Sequence, residues 1–218
     1  MPDLTLHGYW RSSAAWRVRI ALALKGLPYA TVAHDLRTGA QAAAAYRACN
    51  PQGLVPALDT GEGQEAPLTQ SLAIIEWLEE TQAQPALLPA DPLGRARVRA
   101  MAQVIACDVH PLGNLRVLKA LRGDLGADEA QVAAWLARWM GDGFVALETM
   151  VAQWGGAFAF GDAPGLADCC LVPQIYAARR FGVGLGAYPR LVAIDARCAG
   201  LAAFAMAHPA AQADADPS

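Results

Sequence analysis

A chain of 218 residues, 55% hydrophobic and 17% charged, has enough apolar mass for one large domain or two small ones with real cores. Its 17 basic and 20 acidic residues give a net charge of −3, without the basic footprint of a nucleic-acid binder. No apolar run reaches the ~18 residues of a membrane span, and Met1-Pro2-Asp3-Leu4 lacks the basic and apolar regions of a signal peptide, so a cytoplasmic protein is expected. Leu4 to Tyr9 reads as a first strand, and Ala14 to Lys25 as a helix that Gly26 can close at its C-terminal end. Pro28 to Ala33 reads as a second strand, Ala40 to Ala48 as a weak helix and Asn50-Pro51 as a turn. Val55 to Asp59 is a third strand and Ala66 to Leu68 a short fourth. Helix resumes from Ser71 to about Thr81, where Leu72, Ile75, Leu78 and Glu79 show the 3.6-residue period. A βαβ unit followed by a ββα unit makes a small α/β domain over residues 1–84.

Pro85, Pro89 and Pro92 then punctuate a linker, and strand patterns disappear. Arg95–Leu121, Glu129–Val151, Leu166–Phe181 and Leu191–Ala207 all read as helices, an all-α domain over residues 90–218. Its tail, Asp216-Pro217-Ser218, is expected to fray. Cys49, Cys107, Cys169, Cys170 and Cys198 lack Cys-x-x-Cys or His/Cys ligand spacing, so reduced, mostly buried thiols are expected, with no metal.

The chemistry concentrates in Arg11-Ser12-Ser13-Ala14-Ala15-Trp16-Arg17-Val18-Arg19-Ile20, directly after the first strand. A strand, a turn with two hydroxyls and a helix starting beside them bring free N–H groups and the positive end of a helix dipole to one point. That point suits an anion, here a thiolate. Val55-Pro56 puts a residue without a ladder N–H inside a strand. It reads either as a sheet edge whose Val backbone pairs with something extended, with a cis peptide, or as a plain edge strand blocked against aggregation. Gln70-Ser71 opens a helix, with Ser71 either an ordinary N-cap or, with Gln70, the holder of a carboxylate.

These segments, with Trp16 to Gly26, Asn50-Pro51, Val55 to Leu58 and Gln70 to Glu76, resemble the cytosolic glutathione transferases, most closely the zeta class that includes maleylacetoacetate isomerase. His110-Pro111-Leu112-Gly113-Asn114-Leu115, Ala167-Asp168 and Leu171-Val172-Pro173-Gln174 extend the resemblance through nearly the whole chain. Trp10-Arg11-Ser12, His110-Pro111 and Arg179-Arg180-Phe181 also resemble the bacterial maleylpyruvate isomerases. The resemblance implies a thioredoxin-like, glutathione-binding first domain, an all-helical substrate-binding second domain and a homodimer. It implies glutathione as the cofactor, with Gln70 and Ser71 at its γ-glutamyl end, Val55 and Pro56 along its cysteinyl part and Ser12 and Ser13 at its sulfur. Gln41, His110 and Asn114 fall where the family has further glutathione contacts, although His110 also reads as a polar residue near a proline kink.

Two residues depart from the family pattern. Ala14 stands where the zeta class has Cys, so no protein thiol is available at the turn. Gly165 stands where a Ser or Thr would open a capping box with Asp168. The implied reaction is cis–trans isomerisation of a small maleyl diacid by reversible thiolate addition. Arg11, Arg116 and Arg180, which the family fold would bring toward one cleft, are the candidates for its carboxylates, although any one of them also reads as a solvated charge. A conjugating or dehalogenating glutathione transferase and a non-catalytic glutathione-fold binding protein are the other two readings. Intact Ser12 and Gln70-Ser71 disfavour the last.

Overall fold

A computed structural model of the chain describes residues 4–61 and 66–216; Met1-Pro2-Asp3 and the Pro217-Ser218 end of the tail lie outside the described residues. The chain divides into two compact units, Met1–Leu87 with Gly200–Ser218, and Leu88–Ala199. Residues 200–218, placed by sequence in the helical domain, thus fold with the first unit.

In the first unit β1 (Thr5–Gly8), α1 (Ser13–Leu24) and β2 (Ala30–Ala33) form the βαβ half, and α2 (Ala44–Cys49) follows. The ββα half is β3 (Ala57–Asp59), β4 (Leu68–Thr69) and α3 (Ser71–Thr81). The sheet order is β2-β1-β3-β4, with β1 parallel to β2 and β3 antiparallel to both neighbours. This is the thioredoxin-like arrangement. β3 is therefore interior, not an edge, and the ladder begins at Ala57 opposite His7. Pro56 has no N–H to give, so Val55-Pro56 stays outside the strand. The same reason moves β4 past Pro67 to Leu68–Thr69.

Helix α1 buries every residue from Ala15 to Leu22, which places it against the sheet and α3 at once. Gly26, at φ +65°, closes it: the Gly26 N–H reaches Ala23 C=O at 3.1 Å and the Leu27 N–H reaches Leu22 C=O at 2.9 Å, a pairing that requires the left-handed residue between them. Lys25 Nζ, fully buried, meets Glu79 Oε2 at 2.9 Å and also donates to the Gln82 and Pro85 carbonyls, tying the end of α1 to α3.

The second unit holds α4 (Pro92–Gln103), α5 (Leu115–Gly123), α6 (Glu129–Trp154), α7 (Leu166–Arg180) and α8 (Pro189–Ala199) around Phe144, Leu147, Leu166, Ile175 and Leu191. The continuous helix expected over Arg95–Leu121 is broken. A π-helical turn at Val104–Val109 and a 3₁₀ turn at His110–Gly113 precede Asn114, whose side chain accepts the Arg116 N–H at 3.1 Å and starts α5 afresh. A Cβ on Gly143 of α6 would collide with Val109, so that glycine lets the π turn approach. The helix expected over Leu191–Ala207 also divides, at Gly200-Leu201, into α8 and α9 (Ala202–Ala207), and α9 packs on α1 in the first unit.

Candidate functional site

The turn after β1 places the first candidate group. The Ser12 N–H donates to the Tyr9 carbonyl at 2.9 Å, and Ser12, extended at φ −68° and ψ 115°, is the N-cap of α1. Its Oγ accepts the Ala15 N–H at 3.2 Å. A hydroxyl that accepts with a lone pair keeps its own proton to donate, so capping and thiolate binding are compatible. Arg11, Ser12, Ser13 and Ala14 are all half-buried, and Arg11 lies 5.1 Å over the Trp10 ring.

A second group of contacts prepares the segment before β3. Tyr46 Oη and Asn50 Nδ2 both donate to the Leu54 carbonyl, at 2.7 and 2.6 Å. The next residue, Val55, is half-buried, and among the described residues its N–H and C=O have no hydrogen-bond partner. It is joined to buried Pro56 by a cis peptide. An extended ligand backbone can pair with that N–H and C=O. Tyr46 is braced by His34, 4.1 Å away ring to ring, and His34 shares a 3.0 Å hydrogen bond with His7. Burial pushes both imidazoles below the usual histidine range, and the neighbouring His7 lowers His34 further. Gln41 sits in a 3₁₀ turn before α2 with a buried Oε1 that, among the described residues, accepts no hydrogen bond.

The start of α3 is the third group. Gln70 takes φ +69°, the sole non-glycine positive φ among the described residues, a strained backbone held by Gln70 Nε2 donating to Gln52 Oε1 at 2.7 Å. Gln70, not Ser71, is the N-cap, and among the described residues no side chain caps this helix, which leaves its first-turn N–H groups for a carboxylate. Ser71 is the first helical residue, 5% exposed, and its Oγ accepts from Arg17 Nη1 at 3.2 Å. Arg17, itself 2% exposed, therefore adds a positive charge behind the helix end.

In the second unit, His110 opens the 3₁₀ turn and Asn114 closes it. The turn is held by Trp135 Nε1, which donates to the Leu112 carbonyl at 2.9 Å. Because Asn114 is the N-cap of α5, Arg116 lies in the first turn of that helix, exposed. At the C-terminus of α7, Arg179 Nη1 pairs with buried Asp195 at 2.6 Å, while exposed Arg180 lies 4.4 Å over Phe181. Asp168 supplies the carboxylate half of the capping box at Gly165: it accepts from Gly165 N–H and also from Ala159 N–H, both at 2.9 Å, and burial pushes its pKa up to about 6.

Sequence reasoning missed Arg17, Arg19, Tyr46 and Asn50 as site supports. The signal for the arginines was present: two cations two residues apart within Trp16–Leu22, which is otherwise apolar, cannot both reach water.

The description "Glutathione S-transferase, N-terminal domain" matches residues 11–81. A maleylpyruvate isomerase from a Ralstonia species is 52% identical over 97% of this chain and 99% of that protein. The holo structure of a bacterial zeta-class maleylpyruvate isomerase superposes with a TM-score of 0.94 at 51% identity, covering 97% of this chain and 100% of the other. Maleylacetoacetate isomerase from Anaeromyxobacter dehalogenans 2CP-1, with glutathione bound in its active site, superposes with a TM-score of 0.90 at 49% identity, covering 98% of each chain.

Proposed function

The chain belongs to the zeta class of the glutathione S-transferase family, and on that premise we propose that it is a glutathione-dependent cis–trans isomerase of a maleyl diacid, maleylacetoacetate or maleylpyruvate, yielding the fumaryl form. The observation that carries the reading is the turn at Ser12, a hydroxyl that caps α1 and still has a proton to donate. The residues present fit glutathione. The unpartnered main-chain N–H and C=O of Val55 suit its cysteinyl segment, the uncapped start of α3 at Gln70-Ser71 its γ-glutamyl carboxylate, and the orphaned Gln41 Oε1 one of its N–H groups. His110 and Asn114 are assigned as further glutathione contacts on family resemblance.

When bound, glutathione supplies a thiolate whose reversible addition turns the double bond into a rotatable single bond. The chain's task is to keep that sulfur ionised. A free thiol at pKa ~8.5 is only a few per cent ionised at neutral pH. The start of α1 contributes ~0.3–2 kcal/mol and a hydroxyl donor ~1.5–3 kcal/mol, together enough to bring the pKa near neutrality at ~1.4 kcal/mol per unit. Ala14 has neither proton nor lone pair, so Ser12 is the donor, with Ser13 beside it. Arg11, Arg116 and Arg180 take the carboxylates and the oxygen on which negative charge develops.

Turnover of both diacids, with and without glutathione, followed by loss of the cis-enol absorbance, tests the reading. A product that retains the glutathionyl group would indicate a conjugating transferase instead. We assign the protein to the cytoplasm as a homodimer. The family resemblance supports both, and a monomer in sedimentation at micromolar concentration would contradict the dimer. Among the described residues no helix is long and apolar enough to cross a membrane.

A further inference from the structure

The turn that presents Ser12 is tied down from outside its own element. Arg19, in the middle of α1 and 3% exposed, donates to three carbonyls: Trp10 from Nη2 at 2.8 Å, Tyr9 from Nη1 at 3.4 Å and Ala207 from Nε at 3.1 Å. The Tyr9 carbonyl is the one that accepts the Ser12 N–H and so sets where the hydroxyl stands. Ala207 is the last residue of α9, and the segment after it runs back over the turn. His208 stacks edge-on to Trp16 at 5.3 Å, Asp214 Oδ2 accepts the Trp10 N–H at 2.9 Å, and Asp216 pairs with Arg37 at 2.7 Å. Arg37 lies 5.9 Å over the Tyr9 ring. Both main-chain polar groups of Trp10 are thus held by groups that do not belong to the turn, Arg19 from inside and Asp214 from the C-terminal segment.

We propose that residues 208–216 act as a strap that fixes the thiolate turn, and that Arg19 and Asp214 are positioning residues for Ser12. The inference rests on the reading of Ser12 as the donor to the glutathione sulfur. Neither residue needs to touch glutathione. A hydrogen bond from Ser12 to a sulfur weakens steeply when the hydroxyl is a few tenths of an ångström or some tens of degrees out of line, and backbone groups in an unsupported turn have that freedom.

Asp214 separates this role from simple electrostatics, because the two predict opposite signs. Removing a negative charge near the turn makes a thiolate easier to form. Removing the hydrogen bond loosens the turn and makes it harder. Asp214→Asn abolishes the charge and keeps an oxygen for the Trp10 N–H, while Asp214→Ala removes both.

The charged and titratable groups around the strap are Tyr9, Arg11, Arg19, Tyr29, Asp35, Arg37, His208 and Asp216, and all stay in place in both variants. Thiolate absorbance of bound glutathione is titrated against pH without diacid, beside hydrogen exchange of the Trp10 and Ser12 amides without glutathione. Asp214→Ala is expected to raise the bound-thiol pKa by about half a unit to one unit, cutting the thiolate fraction on the acid side about three- to tenfold. It is also expected to speed exchange at both amides, with glutathione Kd within about twofold. Asp214→Asn is expected to restore slow exchange and a pKa at or below that of the wild type. Unchanged pKa and exchange in Asp214→Ala, or an Asp214→Asn variant that behaves like Asp214→Ala, overturns the strap while the wild-type protein still ionises glutathione. A wild-type protein that does not lower the thiol pKa overturns the functional reading, and the strap with it.

Discussion

Replacing Ser12 by Ala removes one oxygen with two separable jobs. The cap is the first: Oγ accepts the Ala15 N–H at 3.2 Å, and its loss costs about 0.5–2 kcal/mol of stability. The main-chain bonds of the turn, Ser12 N–H to Tyr9 and Trp16 N–H to Ser12, do not involve the side chain and persist. The second job is the proton offered to the sulfur. A hydrogen bond to a charged acceptor contributes ~1.5–3 kcal/mol, which at ~1.4 kcal/mol per unit raises the bound-thiol pKa by about one to two units. A thiol held near neutrality would return most of the way to its free value, and turnover at pH 7 would fall roughly tenfold. The assay is a pH titration of kcat and of bound thiolate absorbance, with urea unfolding alongside. Rising activity of Ser12→Ala at higher pH, together with near-normal Ser12→Thr, is the expected result. Lower stability with unchanged thiol pKa would show that Ser12 is a helix cap only, and a shift in Ser13→Ala instead would move the donor by one residue.

Ser71→Ala removes a buried hydroxyl that serves Arg17, and glutathione affinity by calorimetry is expected to weaken by about 1–2 kcal/mol while Ser71→Thr stays close to wild type. Unchanged affinity with lower stability would leave Ser71 to Arg17 alone. Asp168, with a folded pKa of about 6 against a usual 3.8, favours the folded state while protonated. Its contribution is therefore full below about pH 4 and is lost as pH rises to about 6, by at most ~3 kcal/mol. The stability difference between wild type and Asp168→Asn, followed by denaturant unfolding, should change across that window and be flat above it. Arg179→Ala strands the Asp195 carboxylate, so it should lower stability with little effect on diacid KM. Arg180→Ala should leave stability near wild type and reduce kcat/KM for the diacid by about ten- to a hundredfold, the scale of one lost charge-assisted bond. Equal, small kinetic effects of the two would remove Arg180 from the substrate site.

Local signals were legible where one residue decides the outcome. Gly26 ends α1, Ser12 begins it, and the period of Leu72, Ile75 and Leu78 marks α3. Pro56 and Pro67 read as strand residues, but lacking an N–H each moves the start of its strand two residues downstream, from Val55 to Ala57 and from Ala66 to Leu68. The break before Asn114 was legible only as a kink at Pro111, because helical spacing continues across it; its further causes are the Asn114 cap on Arg116 and the close approach of the π turn to Gly143. Around Ser12, the capping oxygen could be read from the chain, whereas its supports could not. Arg19 reaches Ala207 and Asp214 reaches Trp10 across 188 and 204 residues, and no periodicity or motif encodes such contacts. The positive φ of Gln70 is likewise against glutamine's local preference, and its side chain bonds to Gln52, 18 residues back in the chain.

Glutathione balance during turnover separates isomerisation from conjugation. The purified protein is given a maleyl diacid in large excess over glutathione, and the fumaryl product and free glutathione are both quantified at completion. Many molecules of fumaryl product per glutathione are expected, with all of the glutathione recovered free and no turnover when it is omitted. Product that stops at one equivalent with the thiol consumed, or isomerisation that proceeds without glutathione, would contradict the proposed reaction.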